Sequence, residues 1–189
     1  MNKVIVETSA RHLHLTQAAV DALFGTGYQL TKKKDLSQPG QYACAEKVEV
    51  VGPKGSLMMS ILGPTRPESQ VEISYTDARA LGVTAPIRES GDIAGTPGIT
   101  LKVGENTLTL EEGVIIAKRH IHLTPEAAAE FGVADKEVVK VKVSGTGRTT
   151  IFDDVVIRVK DSFAPAMHID TDECNAAAAF GEIYGEIVK

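Results

Sequence analysis

A six-residue motif occurs twice in this chain, and the duplication constrains the fold more tightly than any other feature. Arg11-His12-Leu13-His14-Leu15-Thr16 returns as Arg119-His120-Ile121-His122-Leu123-Thr124. Each copy runs into a short helical pattern that stops at glycine: Gln17 to Phe24 before Gly25, and Pro125 to Phe131 before Gly132. Thr16 and Thr124 are N-cap residues by type, with a hydroxyl able to accept from an orphan backbone N–H. Pro125 falls at the first helical position, where its missing N–H costs nothing, and the glycines supply the C-terminal stops.

The likeness continues downstream. Val48 to Val51 and Ser56 to Ile61 flank Gly52-Pro53-Lys54-Gly55, while Val139 to Val143 and Thr149 to Phe152 flank Gly145-Thr146-Gly147. Alternation and turn chemistry predict a β-hairpin in each case. Next come the strand patterns Val71 to Asp77 and Met167 to Asp172. Each leads into a helix beginning at Thr-Asp (Thr76-Asp77, Thr171-Asp172), with an Ala-rich turn stopping at Gly82 or Gly181. The predicted fold class is therefore mainly β with short helices, in two small β-barrel domains related by an internal repeat. Short strands punctuated by glycine and proline favour antiparallel barrels over a doubly wound sheet. The first copy carries extra polar sequence, Tyr28 to Gln41 with Lys32-Lys33-Lys34, which reads as a surface loop. Val83 to Thr100, rich in glycine and proline, reads as the connection between repeats.

Composition excludes several classes. No apolar run approaches the ~18–20 residues of a membrane span, and the start of the chain lacks a signal-peptide apolar core. A net charge of -5 argues against a nucleic-acid partner. Two cysteines, Cys44 and Cys174, are too few for a disulfide framework, so a reducing cytoplasm is the expected location.

Histidines two apart on a strand project from one face, while the residue between them turns into the core. Superposing the repeats places Glu72 at the position of His168. Two three-ligand sets result, His12, His14 and Glu72, and His120, His122 and His168, and together they use all five histidines of the chain. Three ligands leave an open coordination position, the mark of a catalytic zinc. Taken singly, Glu72 reads equally well as a strand residue paired to a lysine, and His168 as a core or surface histidine. Cys174 is a rival ligand, although an Ala-rich helix (Glu173 to Phe180) is ordinary ground for a packed cysteine. Arg66, stiffened by Pro64 and Pro67, is placed to hold a phosphate or carboxylate, or else is a surface arginine on a turn. Arg11 and Arg119 face away from the metal and read as structural.

These residues resemble a known family. The doubled Arg-His-X-His-Leu-Thr, the segment Ile61-Leu62-Gly63-Pro64-Thr65-Arg66 with Gln70-Val71-Glu72-Ile73-Ser74, and His168-Ile169-Asp170-Thr171-Asp172-Glu173 are similar to the PduL-type phosphate propanoyltransferases (phosphotransacylases). The resemblance implies one barrel from residues 1–9 plus 118–189, a second from 10–117, and a dizinc site at their interface. It implies two Zn²⁺ per chain, a coenzyme A thioester and inorganic phosphate as partners, and reversible acyl transfer to phosphate. Carried over by motif, Arg66 binds phosphate, Ser90 lies near the active site, and Ser9, Leu62 and Asn175 line the coenzyme A site. Ser60 stands where the family often has arginine, so one coenzyme A phosphate contact is either lost or replaced from Lys33 or Lys34. No N-terminal microcompartment-targeting extension is seen, which favours a free cytoplasmic enzyme without membrane or nucleic-acid partners, and dimerisation is the commonest assembly for such an enzyme.

The expected reaction is direct attack of phosphate on the thioester carbonyl, because no histidine is left over to activate a nucleophilic side chain. Two other classes fit the same residues: a dizinc thioesterase or phosphoesterase using metal-bound hydroxide, and a binding module stapled by zinc. Acyl-transfer rates with and without phosphate separate the three. Neither the acyl chain length nor the native metal follows from the sequence, since cobalt or nickel suits the same ligands.

Overall fold

The structure, a computed structural model, describes residues 3–144 and 147–188. In chain order the elements begin β1 (Lys3–Thr8), β2 (His12–His14), α1 (Gln17–Phe24), β3 (Lys32–Asp35), β4 (Tyr42–Val51), β5 (Ser56–Gly63), β6 (Gln70–Glu72), α2 (Tyr75–Leu81) and β7 (Ile87–Arg88). They continue as β8 (Ile99–Val103), β9 (Asn106–Leu110), β10 (Val114–Ala117), β11 (His120–Leu123), α3 (Pro125–Phe131) and β12 (Val138–Val143). The last are β13 (Thr150–Val159), β14 (Ala166–Ile169), α4 (Thr171–Ala177) and β15 (Ile183–Val188). The chain is mainly β with short helices, and no helix among the described residues is long and apolar enough to cross a membrane.

The chain divides into two compact units. One comprises Met1–Ser9, Ser37–Pro39 and Lys118–Lys189, and its sheet closes into a barrel in the order β1-β14-β11-β13-β12-β15. Val6, Ile121, Val141, Ile157 and Met167 fill its core. The other comprises Ala10–Leu36 and Gly40–Ala117; its strands run β7-β10-β6-β2-β5-β4-β8-β9, with β3 on β4, around Leu13, Val50, Met59, Ile61 and Leu101. This second sheet is curled but open, where a closed barrel is the sequence expectation.

Nor is the pairing uniformly antiparallel. β2 with β5, β11 with β13, β6 with β10 and β1 with β14 all pair in parallel. A parallel pair needs a long crossover, and α1 with the strands after it, or α3 with β12, provides that length. β1 directly precedes the first histidine strand yet joins β14, whereas β10 directly precedes the second yet joins β6.

Helix boundaries follow local chemistry. Thr16 and Thr124 cap α1 and α3, accepting from the N–H of Ala19 and Ala127, and Pro125 opens α3. α4 begins at its Thr-Asp pair, at Thr171, whereas α2 begins one residue before its pair, at Tyr75; Asp170 with Glu173 and Ser74 with Asp77 form the capping boxes that set these starts. α4 also ends earlier than Gly181: Ala178 takes a left-handed conformation and closes the helix through the carbonyls of Cys174 and Asn175. Within the predicted loop 28–41, Lys32–Asp35 forms an exposed edge strand on β4, and Gln38 is buried with its amide bonded to both backbone groups of Ala164. The stretch 83–100 is not a free connection. It contributes β7, and Ile93 and Thr96 are buried. Of the two predicted hairpin turns, Gly145 and Thr146 lie outside the described residues.

Gly185, on β15, tests how tightly the barrel packs. A Cβ there would sit 2.7 Å from Val141 Cγ1 and 3.2 Å from Val6 Cγ2. Gly185→Ala should destabilise the barrel by ~1–3 kcal/mol through overpacking, read as a lower urea midpoint. An unchanged midpoint would show that the core yields freely.

Candidate metal centres

Each histidine strand presents its imidazoles on the face opposite the core. Leu13 and Ile121 are fully buried in their respective cores, so the residues on either side must point the other way. The third donor comes from the neighbouring antiparallel strand, directly across. His12 stands opposite Glu72 in the β2–β6 pair, and His120 stands opposite His168 in the β11–β14 pair. In each set, His12–His14–Glu72 and His120–His122–His168, the donor atoms lie within 4.8 Å of one another.

Backbone carbonyls fix several of these rings. His12 Nδ1–H donates to Ala10 O at 2.8 Å, His14 Nδ1–H to Leu62 O at 3.1 Å and His120 Nδ1–H to Lys118 O at 2.8 Å. A carbonyl only accepts, so each ring carries its proton on Nδ1 and, when neutral, offers a bare Nε2. Those nitrogens face the third ligand: His12 Nε2 is 3.5 Å and His14 Nε2 3.9 Å from the Glu72 carboxylate. In the other set His168 Nδ1 lies 3.8 Å from Glu7 Oε2. His122 Nδ1 is buried without a hydrogen-bond partner, an orphaned polar atom of the kind a bound cation satisfies. Three nitrogen and oxygen donors per set, with several rings held in one tautomer, fit a zinc-type ion.

Electrostatics keep the sets poised. Burial lowers the His14 pKa to about 3, aided by the His12 and Arg66 charges. Burial likewise lowers His122 to about 2, with His120, His168 and Arg158 acting the same way. Both rings are therefore neutral near pH 7, the state a metal ligand requires. Burial alone would depress His12 and raise Glu72, but their mutual attraction outweighs it, raising His12 and holding Glu72 far below the usual carboxylate range.

Around Glu72 the polar groups form a closed network. Ser90 Oγ donates to Glu72 Oε1 at 2.9 Å and accepts from Arg66 Nη1 at 3.1 Å. Gln70 Nε2 reaches both Glu72 Oε1 (2.5 Å) and Ser90 Oγ (2.6 Å), and Gln70 Oε1 accepts from Gly91 N–H at 2.9 Å. Arg66, Ser90 and Glu72 are thus brought together. Gln70 was missed from the sequence, although its spacing was a signal: two residues before Glu72, it shares that residue's strand face and is a polar side chain at a buried position. Ser9, at the end of β1, donates its N–H to Ile169 O at 2.7 Å, and Asn175 is exposed on α4, both in the barrel unit. Leu62 belongs to the open-sheet unit. Ser60 on β5 pairs with His12 and Lys47, and Lys33 and Lys34 are exposed on β3. Cys174 joins neither donor set: its buried thiol accepts from Thr8 Oγ1 at 3.0 Å and contacts Ala179 O at 3.1 Å.

Arg11 and Arg119 have matching tasks. Arg11 pairs with Asp77, and Arg119 Nη1 donates to Glu173 Oε1 at 2.6 Å. Asp77 and Glu173 are the third residues of α2 and α4, the acids of the two capping boxes. Each arginine therefore ties its histidine strand to the helix that starts just after the third ligand.

A duplicated His-X-His strand that gathers three donors, with a guanidinium bonded into the same network, defines a β protein equipped for anion chemistry beside a candidate metal centre. The sequence profile of the phosphate propanoyltransferase family matches residues 5–180. A phosphate propanoyltransferase of Enterococcus faecalis is 56% identical over 189 residues, covering 100% of this chain and 89% of that protein. Those of Listeria monocytogenes (56% over 187 residues; 98% and 87% covered) and Thermotoga maritima (55% over 175; 92% and 83%) are comparably similar. The chain belongs to the phosphate propanoyltransferase family, and is an acyltransferase.

If the His120–His122–His168 set takes zinc and the Arg119–Glu173 tie holds His168 in place, Arg119→Ala should weaken zinc binding at least ~10-fold, the usual cost of losing an outer contact. Competition against a chromogenic chelator measures this. Unchanged affinity would mean that the strand pairing alone positions the ligands.

Proposed function

We propose that this chain interconverts an acyl-CoA, propanoyl or of similar short length, plus phosphate with the acyl phosphate plus coenzyme A, and that zinc is required. Family membership supports the substrates. The observation that carries the reading is the Ser90 hydroxyl, shared between the Glu72 carboxylate and the Arg66 guanidinium. It links a cation-binding group to an anion-binding group within one hydrogen-bonded network.

In this reading His12, His14 and Glu72 hold one zinc ion, and His120, His122 and His168 hold a second. Bound there, zinc supplies electrostatic stabilisation of developing negative charge and is compatible with a thiolate. Arg66 holds the phosphate by charge-assisted hydrogen bonds, and Ser90 and Gln70 keep Glu72 and the guanidinium in register. Ser9, Leu62 and Asn175 contact coenzyme A. All five histidines belong to the two donor sets, so none remains to deprotonate a serine. A phosphate oxygen therefore attacks the thioester carbonyl directly. A C–O bond forms, the C–S bond breaks, and coenzyme A leaves as a thiolate that takes a proton from solvent.

Thiol release from propanoyl-CoA, with and without phosphate, tests this, together with metal analysis of the same sample. Phosphate-dependent release with about two zinc ions per chain is expected; equal release without phosphate would mean a hydrolase instead. Arg66→Ala should raise the phosphate KM at least ~10-fold, since a hydrogen bond to a charged group is worth ~1.5–3 kcal/mol, while zinc content is retained. Unchanged phosphate kinetics would remove Arg66 from the mechanism. His120→Ala should lose metal and activity together.

A further inference from the structure

The two donor sets differ in what lies beside them on the parallel neighbouring strand. On β11 and β13, His120 is level with Val156 and His122 with Arg158. On β2 and β5, His12 is level with Ser60, so the counterpart of Arg158, two residues further on, is Leu62. Val155 and Ile157 are fully buried in the barrel core, and strand alternation puts Arg158 on the opposite face, the face of the imidazoles. The ring of Phe163 links the two side chains: it lies 4.1 Å from the His122 ring, and the Arg158 guanidinium carbon lies 5.9 Å from its centroid.

Arg158 is half-buried, and no carboxylate among the described residues forms an ion pair with it. A guanidinium partly withdrawn from water, stacked near an aromatic ring and lacking an acidic partner is primed for an anion from outside the chain. Its charge already reaches the set, being one of the causes that lower His122.

We propose that Arg158 is an anion-binding residue of the His120–His122–His168 set, and that it holds a phosphoryl oxygen of a substrate. This rests on the phosphate acyltransfer reading above, in which both substrates carry phosphoryl groups. Arg66 serves the other set, where its charge acts on His12 and His14. Each donor set thus has one guanidinium, reached by a different route: Arg66 from the loop after β5, Arg158 from a strand beside the histidines. The planar fork suits bidentate contact with a phosphoryl group, which lysine cannot reproduce.

The test uses the full zinc-loaded chain with Arg158→Gln, which keeps the polar stem without the charge, and Arg158→Lys, which keeps the charge without the fork. KM is measured for phosphate, propanoyl-CoA and S-propanoylpantetheine, the last lacking the phosphoryl groups of coenzyme A. Phosphorus NMR titration gives the inorganic phosphate Kd without turnover. The expected result is a tenfold or greater rise for one phosphoryl ligand in Arg158→Gln, only partly restored in Arg158→Lys, with zinc content and Tm unchanged. A rise in phosphate KM and Kd assigns the residue to inorganic phosphate. A rise confined to propanoyl-CoA, with S-propanoylpantetheine unaffected, assigns it to coenzyme A. All constants within twofold of the parent, or loss of zinc in both variants, would overturn the proposal. Should the parent protein show no phosphate-dependent thiol release, the acyltransfer reading falls, while the phosphate titration still decides whether Arg158 binds the anion.

Discussion

The candidate centres depend on one constraint: the residue between each pair of histidines must be buried. Leu13 and Ile121 are fully enclosed in their cores, each burial being worth ~1.5–3 kcal/mol. A one-residue slip of either strand would exchange faces, exposing the apolar residue and burying two imidazoles in hydrocarbon. Register is therefore set by the hydrophobic effect, and the geometry of the donor sets is a consequence of it. The antiparallel neighbour then needs only to place a donor opposite the first histidine, as Glu72 and His168 do.

Donors that close together in a largely dehydrated setting need their remaining hydrogen-bonding capacity met. Around His12, His14 and Glu72 this is achieved by the carbonyls of Ala10 and Leu62, by Ser90 and by Gln70. The arginine that opens each motif acts one step further out. By binding the capping-box acid of the following helix, it couples the start of one ligand strand to the end of the other. The capping boxes thus begin α2 and α4 and also anchor the two arginines.

Duplication has not kept the halves identical. The same strand position carries Glu72 in one copy and His168 in the other, so the two donor sets differ in charge when deprotonated. Leu62 and Arg158 differ in the same way, which changes what each face attracts. The sheets diverge too, one closing through β15 and the other staying open with β8 and β9 at its edge. A shared strand–helix–hairpin plan therefore supports two unlike faces.

Local chemistry was legible in the sequence wherever it depends on neighbours along the chain. The helices Gln17–Phe24 and Pro125–Phe131, their threonine caps and the alternation of the histidine strands follow from side-chain spacing, and the repeat identified which residues are equivalent. What the sequence could not decide was pairing and closure, which arise from contacts distant along the chain. Among these are the parallel pairings, the departure of β1 and β10 from the strands that follow them, the open second sheet, and the edge strand at Lys32–Asp35. Gln70 and the Arg119–Glu173 tie belong to the same group: Gln70 bonds Ser90, a loop residue 20 positions further on, and the tie spans 54 positions. Spacing specifies which face a residue occupies, but only the folded chain determines what stands opposite it.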